Sequence, residues 1–434
     1  MSDNPDVFNR YDIRGTYPDE IDEAFAERLG RAVATYADRH ARSKVVVGRD
    51  TREHSEQVKD AFIDGLQQGG VAIHDAGVGT TDRVAVAAGH YGGIGVMVTA
   101  SHHAWERTGF KLLYEQGHGF SNDDLETVKE YYRSRDFVAG TSRVVMDVAA
   151  EVDELYLERA DRFLGEGGVT GLIVVDCCNG GAYRLAPTLL EEQGFDTERM
   201  HCSSTGGGVD PEPDEAGRQD VRERMEELDA DLAIGFDPDG DRVYAFHPEL
   251  GWIDGNELFY LLARLTEAER IAASVDTSEL LEALDAEIEY TRVGDVFVSE
   301  QGVELDADLL GEPNGHYAVT EFSWYNSGMF CGALLARNHE RLPDLLADAP
   351  RYETARRVHR VEEKQEVMQE VIKTVAQRYE TLSTVDGIKF AGEGFTALAR
   401  PSGTSQKIRL IVNGEADAVD VEDVADRLYD ELFG

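Results

Sequence analysis

The segment FDPDGDR places three aspartates, Asp237, Asp239 and Asp241, at alternate positions. In an extended or tightly turned loop, alternate side chains lie on one side, so the three carboxylates converge. Such convergence is electrostatically costly without a cation, and hard oxygen ligands favour Mg²⁺ or Ca²⁺. The pattern therefore predicts a metal site, and the alternative is a solvated acidic loop.

The residues around this segment exclude one class of metal site and indicate where in the fold the carboxylates lie. An EF-hand is excluded, because Gly240 is at the fourth position of the loop rather than the sixth and a proline stands at the twelfth. Apolar runs at 232–234 and 243–246 place the carboxylates at the end of a strand. Arg242 follows directly, where it can offset their charge or reach a phosphate.

A second apolar run, at 93–98, ends in Thr99-Ala100-Ser101-His102-His103, and Lys111 follows in a chain with only eight lysines. Catalytic and ligand residues of open α/β sheets collect beyond the carboxyl ends of strands. A serine hydrolase is disfavoured because the GxSxG elbow is absent and no acid partner is evident. Ser101 is then either a helix N-cap or a functional hydroxyl.

Two further loops offer binding groups. Glu312, Asn314 and His316 alternate in GEPNGH and, if extended, face one way toward sugar hydroxyls; a Pro-Asn-Gly turn is the alternative. In the second loop, at residues 400–409, the backbone can form an anion-binding nest, and a β-turn is the alternative. Its predicted phosphate-binding residues are Arg400, Ser402, Gly403, Thr404 and Arg409.

The elements that position these loops follow a repeat. Segments starting at residues 44, 172 and 270 each begin with an apolar run that ends at Asp50, Asp176 or Asp276, and each continues with helical periodicity and a second short strand. This predicts three β-α-β units with parallel strands.

The last part of the chain has a different pattern. It predicts a charged amphipathic helix over 352–380, two short strands within 386–414, and a final amphipathic helix over 421–433. The sequence thus predicts three α/β domains with mixed or parallel sheets and a C-terminal α+β domain. The predicted boundaries are 1–145, 146–250, 251–348 and 349–434.

The composition limits the partners and the location. The net charge is −43, spread along the whole chain, which favours a halophilic protein over an ordinary acidic one. Nucleic acid and anionic membranes are poor partners for such a charge. No apolar run is long enough to span a membrane and the N-terminus does not resemble a signal peptide, so a soluble cytoplasmic protein is expected. The oligomeric state is not readable.

The four cysteines, Cys177, Cys178, Cys202 and Cys331, show no metal-binding or redox spacing. Two are adjacent and two are scattered, which indicates reduced thiols that pack in the interior rather than disulfides.

Taken together, the motifs resemble those of the α-D-phosphohexomutase family, of the phosphomannomutase/phosphoglucomutase type. The family pattern TASHNPxxxNGxK is matched at 99–102 and 109–111, DPDGDR at 237–242, GExSGH at 311–316, and RPSGTEPKIR at 400–404 and 407–409. YDIRG at 11–15 and TRVGD at 291–295 also fit. The resemblance covers essentially the whole chain and implies four domains around a central cleft.

The resemblance implies a role for each residue. Ser101 would carry a phosphoryl group and hold Mg²⁺ with the three aspartates. Lys111, a candidate for proton transfer, His102 and Arg14 would form the catalytic set, with Arg242 at the reacting phosphate. The implied sugar-binding residues are Glu312, Asn314 and His316, and the implied ligands of the non-reacting phosphate are Arg400, Ser402, Gly403, Thr404 and Arg409.

The implied activity is interconversion of hexose 1-phosphate and 6-phosphate, of mannose or glucose, through a hexose 1,6-bisphosphate that also acts as activator. Phosphoglucosamine mutase and phosphopentomutase are alternatives, and a non-catalytic sugar-phosphate-binding protein is a further one. The chain departs from the family pattern at His103, Ala104, Thr108 and Asn314 and at 405–406. His103 is interpreted as part of an altered turn, with a proton carrier or phosphate ligand as the alternative.

Overall fold

The computed structural model describes residues 7–9, 12–140, 144–165, 169–402, 406–416 and 418–434. These residues form four β-sheets in succession, three mixed and one antiparallel, with helices packed against them. The predicted fold class of three α/β units and a final α+β unit is confirmed, whereas the exact domain boundaries stay a prediction. No helix of the described residues is both long and apolar enough to cross a membrane.

The first sheet contains β1 (Ile13–Thr16), β2 (Lys44–Arg49), β3 (Ala72–Val78), β4 (Ile94–Val98), β5 (Arg107–Leu113) and β6 (Val145–Asp147). Its helices are α1 (Glu23–Arg39), α2 (Ser55–Gly69), α3 (Thr81–Tyr91) and α4 (Asn122–Ser134). The strand order is β1-β5-β4-β2-β3-β6. The four strands from β4 to β6 are parallel, and β5 and β1 join antiparallel at one edge.

The second sheet contains β7 (Leu172–Asp176), β8 (Asp196–Met200), β9 (Leu232–Phe236), β10 (Val243–His247) and β11 (Gly251–Ile253), in the order β11-β10-β9-β7-β8. Its helices are α5 (Ala149–Leu164), α6 (Leu185–Glu192) and α7 (Gln219–Leu228). The metal-binding motif predicted from the sequence lies in the antiparallel turn between β9 and β10.

The third sheet contains β12 (Arg270–Ser274), β13 (Glu287–Thr291), β14 (Leu309–Glu312) and β15 (His316–Val319), in the order β13-β12-β14-β15. Its helices are α8 (Gly255–Thr266), α9 (Asp295–Leu305), α10 (Gly328–Arg337) and α11 (Leu342–Ala347). The parallel pairs β2–β3, β7–β8 and β12–β13 confirm the predicted repeat. In the third unit, however, a short 3₁₀ helix at Glu279–Ala283 replaces the expected α-helix.

The fourth sheet is antiparallel and contains β16 (Tyr352–Arg360), β17 (Glu380–Ser383), β18 (Ile388–Gly392), β19 (Phe395–Pro401) and β20 (Lys407–Glu415). Its helices are α12 (Lys364–Arg378) and α13 (Val421–Phe433). The prediction of one helix over 352–380 is wrong for its first third, which is β16. That strand alternates mostly charged, exposed residues with less exposed ones, and its charges hid the period of two.

One apolar core joins the second and third sheets. Val175 and Ile234 from the second sheet and Ile271 and Leu309 from the third belong to the same buried cluster, with α10 between them. The fourth sheet touches this body through a much smaller apolar contact at Val275. The cleft walls contributed by the second and third units are therefore the most firmly joined.

A buried aspartate connects the first unit to this body. Asp82 in α3 accepts hydrogen bonds from the hydroxyls of Tyr156, at 2.7 Å, and Ser327. Burial raises the pKa of Asp82 to about 6. The preceding residue, Thr81, donates from both its backbone N–H and its hydroxyl to Asp239, each at 2.9 Å. The N-terminus of α3 is thus attached directly to the β9–β10 turn.

A disulfide connects Cys177 and Cys202, so the prediction of reduced thiols is wrong for these two residues. The parallel register of β7 and β8 sets Asp176 opposite Met200, and both cysteines follow at the same edge of the sheet. Neither the spacing of the cysteines nor the periodicity of the sequence predicts that Cys177 and Cys202 lie next to each other. Cys178 and Cys331 are free thiols and buried, as expected.

The disulfide generates a stability prediction. Replacing Cys202 by Ser should lower the free energy of unfolding by about 3 kcal/mol, because the unfolded chain gains the freedom that a closed loop of this length removes. Urea unfolding followed by circular dichroism measures the difference. Dithiothreitol should bring the wild-type protein to the stability of Cys202→Ser and leave the variant unchanged. Equal wild-type stability with and without reductant would contradict the assignment.

Candidate active site

The carboxyl ends of strands from the three α/β units meet at one cleft, which the fourth sheet borders. Two cavities, of about 330 Å³ and about 890 Å³, have Arg242 in both of their walls. Ser101 and Lys111 line the smaller cavity, and Asn314 and Arg409 line the larger. The structure therefore brings together residues from all four of the loops that the sequence singled out.

Ser101 follows β4 and is held in place through the first repeat's aspartate. Its N–H donates to Thr99 Oγ1 at 2.9 Å, and the Thr99 hydroxyl donates to Asp50 at 2.8 Å. Arg52 binds Asp50 and donates to the carbonyls of Ser101, at 2.6 Å, and His103, at 2.8 Å. Ser101 has a φ of +52°, a left-handed conformation that costs energy for a residue with a Cβ. Such strain persists where the surroundings fix the backbone, as they do here.

The three predicted metal ligands converge as the spacing indicated. The side chains of Asp237, Asp239 and Asp241 are fully buried, and one oxygen from each lies within 4.8 Å of the others. Asp239 Oδ1 is buried without a hydrogen-bond donor. The hydroxyl of Ser101 donates to Asp237 Oδ2 at 3.0 Å. A set of hard oxygen donors with one unsatisfied buried oxygen fits Mg²⁺.

The charge at this triad is only partly balanced by the protein. Lys111 Nζ lies 2.7 Å from Asp239 Oδ2 and 2.5 Å from Asp241 Oδ2. Burial, together with the other two carboxylates, raises the pKa of Asp237 well above its usual value. Although burial opposes it, Lys111 holds the pKa of Asp241 well below its usual value. Lys111 contacts only two of these three buried carboxylates, and a divalent cation would supply positive charge to Asp237 as well.

Arg14 and Lys111 lie on one face of neighbouring strands. Arg14 is paired with Gly109 in the β1–β5 ladder, two residues from Lys111, so both side chains point to the smaller cavity. A Cβ on Gly109 would lie 2.1 Å from the carbonyl oxygen of Ile13, which explains the glycine. Asp12 forms an ion pair with Arg14 at 2.5 Å.

The two histidines after Ser101 differ in position. His102 Nδ1 lies 3.2 Å from Ser101 Oγ. Burial, and then Arg242 and Arg14, lower the pKa of His102 well below its usual value, so its imidazole is neutral. The N–H of His103 donates to Ala100 in a turn, as the altered-turn interpretation expects. The ring of His103 stacks on His102 with centroids 4.6 Å apart, and burial lowers its pKa to about 4.

Glu312, Asn314 and His316 form a hairpin turn rather than an extended loop. Glu312 and His316 are directly paired, and His316 Nδ1 lies 3.2 Å from Glu312 Oε2. Asn314 Oδ1 accepts from the backbone N–H of His316. His316 Nε2 lies 3.2 Å from Asp241 Oδ1. Although burial opposes it, Asp241 raises the pKa of His316 to about 9, and the ring of His316 connects the sugar loop to the triad.

The fourth sheet presents positive charge to the cleft. Arg400 and Arg409 are directly opposite each other on β19 and β20, an arrangement that repulsion disfavours unless an anion lies nearby. Burial, and then Arg400, lower the pKa of Arg409. Ser402 is buried, and its carbonyl accepts from Lys364 at 2.7 Å. Gly403 and Thr404 lie outside the described residues.

Three cleft residues were missed because no motif marks them. Glu212 lies 3.6 Å from Arg242 in a loop that follows β8. The Tyr325 hydroxyl donates to Asp241 at 3.2 Å. Arg356 lines the larger cavity from β16, on the face of the sheet that carries Arg409. Each reaches the cleft only through the tertiary fold, so a reading of local spacing could not identify it.

Comparison with known proteins gives matches along most of the chain. Three family models match in order: Phosphoglucomutase/phosphomannomutase, alpha/beta/alpha domain I at residues 5–139, domain II at 166–251 and domain III at 254–352. They cover the three mixed sheets apart from β6 and the end of β11.

Individual proteins resemble the chain over nearly its full length. A "Probable phosphoglucosamine mutase" of Methanopyrus kandleri is 31% identical, with 94% of each chain covered. A "Phosphoglucomutase/phosphomannomutase" of Thermococcus kodakarensis is 27% identical, with 95% of each covered. The crystal structure of a phosphoglucomutase/phosphomannomutase family protein from Burkholderia thailandensis has a TM-score of 0.89 at 23% identity, covering 100% of this chain and 98% of that one.

The geometry of the triad predicts metal binding. Isothermal titration with Mg²⁺ should detect one ion per chain, and Asp239→Asn should weaken its affinity on the order of 100-fold, because a charged ligand is lost. Asp285→Asn, which removes an exposed carboxylate outside the two cavities, is the matched control and should bind as wild type does. Equal affinity of Asp239→Asn and the control would count against the site.

Proposed function

The chain belongs to the phosphoglucomutase/phosphomannomutase family of α-D-phosphohexomutases, and on that premise we propose that it transfers a phosphoryl group between the 1- and 6-positions of a hexose phosphate through a phosphoserine at Ser101. One observation carries the proposal. The buried hydroxyl of Ser101 contacts the carboxylate triad at 3.0 Å, in a cavity that Lys111 and Arg14 also line. A protein that only bound sugar phosphates would not need a strained serine at this place.

The reaction requires charge neutralisation more than covalent assistance. Ser101, Asp237, Asp239 and Asp241 would hold Mg²⁺, which would offset charge on the transferring group. Although burial opposes it, Asp239 and Asp241 hold the pKa of Lys111 well above its usual value. With this pKa, Lys111 is suited to act as a cationic partner of the phosphoryl oxygens rather than as the candidate for proton transfer that the resemblance implies.

Each half-reaction exchanges one P–O bond for another. In the first, the bond between phosphorus and Ser101 Oγ breaks, a bond to the oxygen of the free sugar hydroxyl forms, and the proton of that hydroxyl ends on Ser101 Oγ, which gives a hexose 1,6-bisphosphate and an unmodified serine. In the second, Ser101 Oγ attacks the other phosphate, the bond between that phosphorus and its sugar oxygen breaks, and the serine proton ends on the released sugar oxygen. Two acceptors are in reach of the serine proton, Asp237 Oδ2 at 3.0 Å and the neutral His102 Nδ1 at 3.2 Å.

Between the half-reactions the bisphosphate must turn end for end in the cleft. The non-reacting phosphate needs the same cationic site in both orientations, and Arg400 and Arg409 offer it on the fourth sheet. Glu312 and His316 are held rigidly to each other and to the triad. They provide sugar contacts of fixed position beside the reacting group.

The sugar is proposed from the relatives. The name phosphoglucosamine mutase, carried by the relative from Methanopyrus kandleri, supports glucosamine phosphate as substrate. The relative from Thermococcus kodakarensis supports the glucose and mannose phosphates favoured by the sequence motifs, which remain the second candidate. Among the described residues of the cleft, none favours a pentose phosphate.

The phosphoserine is tested by intact-mass spectrometry. After incubation with glucose 1,6-bisphosphate, the protein should gain about 80 Da, mapping to Ser101, and should lose it to excess hexose phosphate. Ser101→Ala should gain nothing and show no mutase turnover, whereas Ser203→Ala, which changes an exposed serine, should behave as wild type does. Absence of the added mass in wild type, with the bisphosphate still bound, would favour a binding protein.

A further inference from the structure

Each of the three repeats has an aspartate at or just after the end of its first strand, which is β2, β7 or β12. In two of the three repeats this aspartate pairs with a buried arginine. Asp50 is fully buried and receives Arg52 Nε at 2.9 Å. Asp176 is fully buried and lies 3.1 Å from Arg218 Nε. In both units the carboxylate is neutralised by a buried guanidinium and holds a loop in place.

The third unit has the aspartate but no arginine at the position that Arg52 has in the first unit. The first unit reads DTRE at 50–53 and the third reads DTSE at 276–279, so Ser278 stands where the first unit has Arg52. The N–H of Ser278 donates to Asn256 Oδ1 at 2.8 Å, away from the carboxylate. In the described part of the chain, no Arg or Lys nitrogen lies within 4 Å of Asp276, whose side-chain hydrogen-bond donor is the hydroxyl of Ser274 at 2.6 Å.

Asp276 instead faces the cleft. It is half-buried and lines the larger cavity together with Asn314 of the sugar loop. Burial, and then the charge of Glu312, raise the pKa of Asp276. Glu312 is already satisfied by the N–H of Gly294 and by His316. The charges of Arg400 and Arg409 also act on Asp276, and Arg400 donates to Asp386 at 2.7 Å.

Resting on the proposed function, we propose that Asp276 is a specificity-determining residue that binds the ammonium group of an amino-sugar phosphate, such as glucosamine phosphate. Because no Arg or Lys nitrogen of the described residues lies within 4 Å of it, this carboxylate gains more from an ammonium than from a hydroxyl. Both groups would donate to an ionised acceptor, but only the ammonium adds the attraction between opposite full charges in a partly buried site. The difference corresponds to roughly tenfold in selectivity.

The test compares kcat/KM for glucosamine 1-phosphate and glucose 1-phosphate. Wild type should favour the amino sugar, and Asp276→Asn should reduce that ratio about tenfold, mainly through KM of the amino sugar, with glucose 1-phosphate within threefold of wild type. Asp276→Glu, which keeps the charge, should retain most of the preference. Glu353→Gln removes an exposed carboxylate from the rim of the same cavity and should leave the ratio unchanged.

A pH series separates recognition from a merely structural role. The wild-type preference should fall as rising pH deprotonates the amine of the substrate, whereas Asp276→Asn should show a flat ratio. An unchanged ratio in Asp276→Asn, an equal loss for both sugars, or a wild-type preference for glucose 1-phosphate would overturn the inference and leave the phosphoserine mechanism standing. Absence of both phosphoserine and turnover in wild type would overturn the proposed function itself.

Discussion

Burial of three carboxylates within 4.8 Å of one another is the constraint on which the rest of the structure depends. Such a cluster is stable only if cations and donors from other parts of the chain surround it. The first unit contributes Lys111 and the hydroxyls of Ser101 and Thr81, and the third contributes His316. The cluster therefore defines both the reaction centre and the place where the units must meet.

The two ends of the cleft differ in charge. At one end the negative triad, with Lys111 and Arg14 nearby, is suited to a transferring phosphoryl group. At the other end Arg400 and Arg409 are opposite each other, and although Arg400 pairs with Asp386, two adjacent guanidinium groups suit a bound anion. A sugar with a phosphate at each end satisfies both, and Asp276 lies along the wall between them.

The sequence predicted what depends on spacing within one loop. The convergence of Asp237 and its two partners and the position of Ser101 after a strand needed only local geometry. The strand β16 was missed because charge hid its alternation, and the Cys177–Cys202 disulfide because its cysteines follow two different strands, β7 and β8. The sequence identified the aspartate of the third repeat. Only the structure, in which the aspartates of the other two repeats pair with arginines, reveals that the third lacks such a partner among the described residues.

The most direct test of this account is the position of a bound ion. Crystals of the protein soaked with Mn²⁺ in place of Mg²⁺ should show one anomalous peak at about 2.1 Å from an oxygen of each of the three aspartates, on the side that faces Ser101. A peak elsewhere in the cleft, or intact crystals with no peak at the triad, would contradict the claim that these carboxylates form a metal site opposite the reactive serine.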